Sequence, residues 1–225
     1  MPCTPRTSLL IAIAIATGAA AGCSREPATS TLAPPSGADP GAAKAVAVNG
    51  QAPASAVEAF AETAPGIALD AVPGMQLRRD FSRSYLPLDS WKLFAPSGSV
   101  GIPLAALALD GSNAVTAAEL RLGRSDDGVA VRQCLDVPAE AGSAADTVQI
   151  DGVPFTHFSA GDAAMSHYVS AESYRAVQHG RCYAVDLVVA GTRPELYDPP
   201  REPPFSQREA KQALASALDA VHWVR

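Results

Sequence analysis

The clearest pattern of apolar and polar positions lies near the C-terminal end. Ala210, Ala213, Leu214, Ala217, Leu218 and Val221 recur at helical spacing as one apolar stripe, with Lys211, Gln212, Ser216 and Asp219 on the opposite side. Ser206-Gln207-Arg208-Glu209 has the spacing of a capping box, and Phe205 stands just before it as a hydrophobic staple. These residues predict a helix that lies on a sheet, its alanines permitting close approach. Immediately upstream, Pro199, Pro200, Pro203 and Pro204 exclude helix and central strand and predict an extended surface connector.

Earlier in the chain the period changes to two. Val148-Gln149-Ile150 and Val153 to Phe158 flank Asp151-Gly152, which is hairpin-turn chemistry. Ser159-Ala160-Gly161-Asp162 predicts another turn, and Ala164 to Gln178 a long strand bulged near Glu172-Ser173. His179-Gly180 then predicts a tight turn into Arg181 to Val189. Pairing Gln178 with Arg181 sets Val177 opposite Cys182 and Arg175 opposite Ala184. Tyr183, Val185, Leu187 and Val189 then share the core face, and Arg175 comes near enough to Asp186 for a cross-strand ion pair. The first half is less periodic. Trp91 to Ala95, between Pro87 and Pro96, predicts a short strand. Val115 to Leu122 predicts another, after the turn residues Asp110-Gly111-Ser112-Asn113, and Asp126-Asp127-Gly128 predicts the next turn. Antiparallel strands followed by a packed C-terminal helix indicate an α+β fold.

The N-terminal end reads differently. Leu9 to Ala16 is an unbroken apolar run behind a short start with one basic residue, Arg6. It is far below the roughly 20 residues that span a bilayer core, and so reads as the apolar region of an export signal over 1–22. Ala20-Ala21-Gly22-Cys23 resembles the lipobox of bacterial lipoproteins, although Ala20 stands where that family most often has leucine. The resemblance implies a diacylglyceryl thioether on Cys23, cleavage before it, and acylation of the new amino end. Two or more acyl chains give stable anchoring where one gives only marginal binding. Ser24 follows, where an aspartate would by family rules favour the inner membrane; the expected address is therefore the outer membrane, facing the periplasm. The competing reading is an ordinary secretory signal in which Cys23 is incidental.

From Cys23 to residue 66 the chain is rich in Ala, Pro, Ser, Thr and Gly, the composition of a flexible tether. Ser55-Ala56-Val57-Glu58 has capping-box spacing, leading into a short helix at Ala59-Phe60-Ala61. A single globular domain is expected over 67–225, long enough to bury about 70% of its unfolded surface.

Charge and cysteine use narrow the picture. The chain has 225 residues and a formal net charge of −6; removing 1–22 takes away Arg6 alone and leaves 16 basic against 23 acidic side chains. That balance argues against nucleic acid as a partner. About one residue in five is alanine, so the 48% hydrophobic content overstates the available core. Of the four cysteines, Cys3 leaves with the signal and Cys23 takes lipid. Cys134 and Cys182 remain, and in an oxidising compartment they most simply form a disulfide.

The chain holds little candidate chemistry. His157, His167 and His179 fall on neighbouring predicted strands, with His157 across from His167, but His179 lies in the distal turn and the trio does not converge as a metal site requires. No Gly-x-Ser-x-Gly elbow exists. Asp126-Asp127 and the pair Asp136 and Glu140 read as solvated loop residues. No catalytic residue, metal or cofactor is assigned.

One further resemblance concerns the mature domain. Met165-Ser166-His167-Tyr168, Tyr174-Arg175, His179-Gly180-Arg181-Cys182-Tyr183, Pro199 to Phe205 and the terminal helix are similar to small bacterial lipoproteins with PsbP-like domains. It implies an α/β/α sandwich that is largely non-catalytic, and it transfers no site residues. The expected role is a lipid-anchored, non-catalytic binding or accessory domain of the cell envelope with a protein, glycan or small-ligand partner. The alternative is an envelope hydrolase, or an inhibitor of one.

Overall fold

A computed structural model describes residues 58–142 and 144–225. Most of the described chain is antiparallel sheet. Seven strands pair in the order β3 (Met75–Arg78), β4 (Ile102–Leu109), β5 (Thr116–Ser125), β9 (Arg181–Thr192), β8 (His167–Gln178), β7 (Val153–Ala164) and β6 (Asp146–Ile150). A smaller sheet holds β1 (Glu58–Ala61), β2 (Gly66–Asp70) and β10 (Val221–Val224). A short helix α1 spans Gly128–Arg132, and α2 spans Gln207–Ala217. The fold is α+β, dominated by sheet.

Alternation along the central strands decides what each face of the large sheet meets. Leu120 and Leu122 on β5, Tyr183, Val185, Leu187 and Val189 on β9, and Tyr174 and Ala176 on β8 form one face. They pack with Ala210, Leu214 and Ala217 of α2 and with Ile67, Leu69 and Val221 of the small sheet, all buried. The opposite face is covered by an irregular strap, residues 79–101, and by α1. The layer order is helix and small sheet, large sheet, strap. No helical layer of comparable size lies over the second face among the described residues, in contrast to the expected α/β/α arrangement.

Several expectations hold in detail. The turns at Asp151-Gly152 and His179-Gly180 join paired strands, and Gln178–Arg181, Val177–Cys182 and Arg175–Ala184 are opposite one another. The four residues assigned to the core face of β9 are all in the main core. The capping box of α2 is complete: the Glu209 amide donates to Ser206 Oγ at 3.2 Å and the Ser206 amide donates to Glu209 Oε2 at 2.8 Å. Cys134, just after α1, is bonded to Cys182 on β9, with both residues fully buried.

Others are corrected. Glu58–Ala61 is a strand, not the end of a helix, because pairing with the buried β2 residues Ala68 and Leu69 outweighs a local capping pattern. This strand also lies inside the segment assigned to the tether, ahead of the expected domain start at residue 67. The Trp91–Ala95 segment is not a strand: Leu93 spends its amide on Asp186 Oδ2 and its carbonyl on Arg175, and Phe94 has a positive φ of 53°. The chain does not turn at Ser159–Asp162; β7 runs on, with Ala160 opposite Ala171 and Gly161 opposite Ser170. No bulge interrupts β8 near Glu172-Ser173. Asp127 caps α1 by accepting from the Val129 and Ala130 amides rather than closing a simple turn. The apolar stripe of α2 leaves the helix before Val221, which belongs to β10.

Candidate functional site

Two openings lie beside the turn that joins β7 to β8. This hairpin turns at Met165-Ser166, both with positive φ (45° and 71°), a geometry that glycine or asparagine adopts more easily. Met165 is 91% exposed. The turn is held from outside: the Arg193 amide donates to Ser166 O at 2.9 Å, and Thr192 Oγ1 lies 2.9 Å from His167 Nδ1. One residue further, the Tyr168 hydroxyl lies 3.4 Å from Thr116 Oγ1 across the sheet. Gly191 stands between them; a Cβ there would come within 2.1 Å of the Val115 carbonyl and 2.8 Å of the Tyr168 hydroxyl, so no side chain fits.

A trough lies on each face of this end. On the helix side, a space of ≈ 860 Å³ is lined by Gly161, Ala163 and Ser170 on the sheet, Arg193 and Glu195 on the connector, and Lys211 on α2. On the strap side, a more apolar space of ≈ 540 Å³ is lined by Tyr85, Leu86, Leu88, Val169, His167 and Tyr197. Asp162, Tyr168 and Val169 border both. Apolar concavities with a few convergent polar groups are where small ligands and peptide side chains bind.

Beneath the strap lies a layer of buried charge. Glu119 accepts from Arg83 and Arg121, each at 2.9 Å, and Arg175 meets Asp186 at 2.8 Å. Phe81 lies against the Arg121 guanidinium and Phe158 against that of Arg175. The strap supplies backbone partners: Arg121 donates to Leu88 O, and Arg175 to Leu93 O at 3.2 Å. Lys92, only 5% exposed, has its ammonium pushed below the usual lysine range by burial and then by the nearby Arg175. Every one of these groups faces strap or sheet rather than an opening, so the layer works as a fastening.

A third polar cluster sits at the β6 side. His157 Nδ1 is 2.8 Å from Asp146 and its Nε2 is 3.1 Å from Glu172, while the ring stacks on Tyr174 at 4.7 Å. Burial, followed by the charges of Glu172 and Asp146, raises the Tyr174 hydroxyl above its ordinary value. The Ser159 hydroxyl donates to Glu172. Nucleophilic catalysis needs a hydroxyl aimed at its base, and here carboxylates occupy both ring nitrogens. The cluster ties three strands together.

The sequence-derived candidates are therefore dispersed. His157 lies opposite Tyr174, and His167 opposite Ala164, because the hairpin turns later than expected; His179 is in its distal turn. Arg175 and Asp186 do pair, and they are buried rather than exposed. Asp126 pairs with Arg124 and Arg181, and Asp127 caps α1. Cys134 and Cys182 are joined. Cys23 lies outside the described residues. Glu119, Arg121 and Asp162 had no signal as site-forming residues beyond being charges within apolar surroundings. No protein-family model matches the chain, and no curated protein matches it.

Proposed function

We propose that the protein is a lipid-anchored, non-catalytic binding module of the bacterial envelope, held through Cys23 on the periplasmic side of the outer membrane, and that it binds at the β7–β8 end. The observation that carries the binding half is the pair of troughs sharing Asp162, Tyr168 and Val169 as a common wall. The anchoring half rests on Ala20-Ala21-Gly22-Cys23 behind the apolar run. Kinship with the PsbP-like lipoproteins, whose members are largely non-catalytic, rests on the sequence resemblance over Met165 to Tyr183 and the terminal helix.

The two halves are tested separately. Metabolic labelling with an alkyne palmitate analogue is expected to mark the wild type and pellet it with membranes, and Cys23→Ser is expected to lose both signals. Equal membrane association of the two removes the anchor. A photo-crosslinking amino acid in place of Tyr197 is expected to give a discrete adduct in intact cells, and one in place of exposed Val129, distant from the troughs, is expected to give none. Identical adducts at both positions, or none at either, remove the binding reading.

A further inference from the structure

We propose that the ligand is an extended segment of another polypeptide, which adds as a strand to the open edge of β7 at Gly161–Ala164 and sends alternate side chains into the two troughs. This rests on the binding-module reading and names the class of its partner.

The open edge follows from the register. β6 accompanies β7 only from Val153 to His157. Among the described residues, a bridge from Ala141 to Ala160 and a hydrogen bond from the Gly142 amide to Ser159 O continue the cover. Beyond it, Gly161, Asp162, Ala163 and Ala164 pair inward with β8 and are exposed, and no strand lies on their outer side among the described residues. The Ala163 amide donates to the carboxylate of its own neighbour, Asp162 Oδ1, at 2.8 Å. It therefore points away from β8, and a side chain fills the place a pairing carbonyl would take. Exposed edges are commonly guarded by such charges.

Strand addition makes use of both surfaces at once. Successive side chains of an added strand point to opposite faces. Gly161 and Ala163 border the helix-side trough, and Asp162 and Ala164 the strap-side trough. Backbone pairing supplies affinity and the troughs supply selectivity, as in other strand-addition sites. Tyr85, Leu86 and Leu88 suit a large apolar side chain; Arg193, Glu195 and Lys211 suit a polar one. A second copy of this chain is a poor occupant. Its own edge offers one glycine, two methyl groups and a carboxylate, which would leave spaces of ≈ 860 and ≈ 540 Å³ unfilled and bring two Asp162 side chains together.

The test uses the purified full-length protein in detergent and a panel of fluorescent hexapeptides that combine leucine, phenylalanine or valine with threonine, glutamine, aspartate or lysine at alternate positions. At least one member is expected to bind. Methylating its pairing backbone amides, which keeps every side chain, is expected to weaken it about tenfold through lost hydrogen bonds. Ala163→Pro removes the outward amide without touching the β8 ladder and is expected to weaken it to a similar degree, while Ala163→Ser retains binding. If methylated and parent peptides bind alike, or if no peptide binds, strand addition is wrong. A Tyr197 adduct that persists alongside those results leaves the binding module standing with a different ligand, and its absence removes both.

Discussion

Arg175 and Asp186 show how single residues hold the strap. Asp186 meets Arg175 at 2.8 Å, accepts from Ser173 Oγ at 2.6 Å and accepts from the Leu93 amide at 2.9 Å, all in surroundings closed to water. A buried pair contributes little against a well-packed apolar alternative, but removing one partner leaves an uncompensated charge. Asp186→Ala is therefore expected to cost about 3–5 kcal/mol in denaturant unfolding. The double variant Arg175→Met with Asp186→Leu is expected to recover part of that loss, because no charge is stranded, but not all of it, because the buried Leu93 amide and carbonyl lose their partners. A single variant no worse than the double one would show that the pair is not sealed from solvent. The pairing was legible because a two-residue turn at His179-Gly180 sets the register of β8 on β9. Its burial was not, because the strap that covers it has no periodic pattern.

At the scale of elements, α2 is specified locally. Ser206→Ala is expected to lower stability by about 1 kcal/mol, read as a small fall in Tm. The Glu209 carboxyl is held below its ordinary value by hydrogen bonds from Ser206. A depressed folded pKa contributes stability that is present above the ordinary value near 4.5 and lost as pH falls through the folded one. Wild type should accordingly lose stability relative to Glu209→Gln as the pH falls below the ordinary value of 4.5. Parallel pH profiles for the two would remove Glu209 from the cap's energetics. The Glu58–Ala61 segment teaches the opposite lesson. Its capping spacing matches that of α2, yet it lacks a sustained apolar stripe, and a long-range partner in β2 claims it as strand.

Across the whole molecule, the Cys134–Cys182 bond closes a separation of 48 residues and ties α1 to the central strand β9. Chain entropy assigns such a loop about 4 kcal/mol. Replacing both cysteines with alanine is expected to lower unfolding stability by roughly 2–5 kcal/mol, and a loss under about 1 kcal/mol would mean the reduced chain is already constrained. The α+β class, the two hairpin registers, the capped helix and the disulfide could all be read from local spacing, turn chemistry and elimination among the cysteines. Each depends on residues close in sequence or on a short inventory. The strap over the charged face, the late turn at Met165-Ser166 and the open edge of β7 depend on which distant segments come to lie together. Nothing in the sequence near Gly161 says that β6 stops at Asp146 opposite His157, and that stop is what leaves an edge between two troughs.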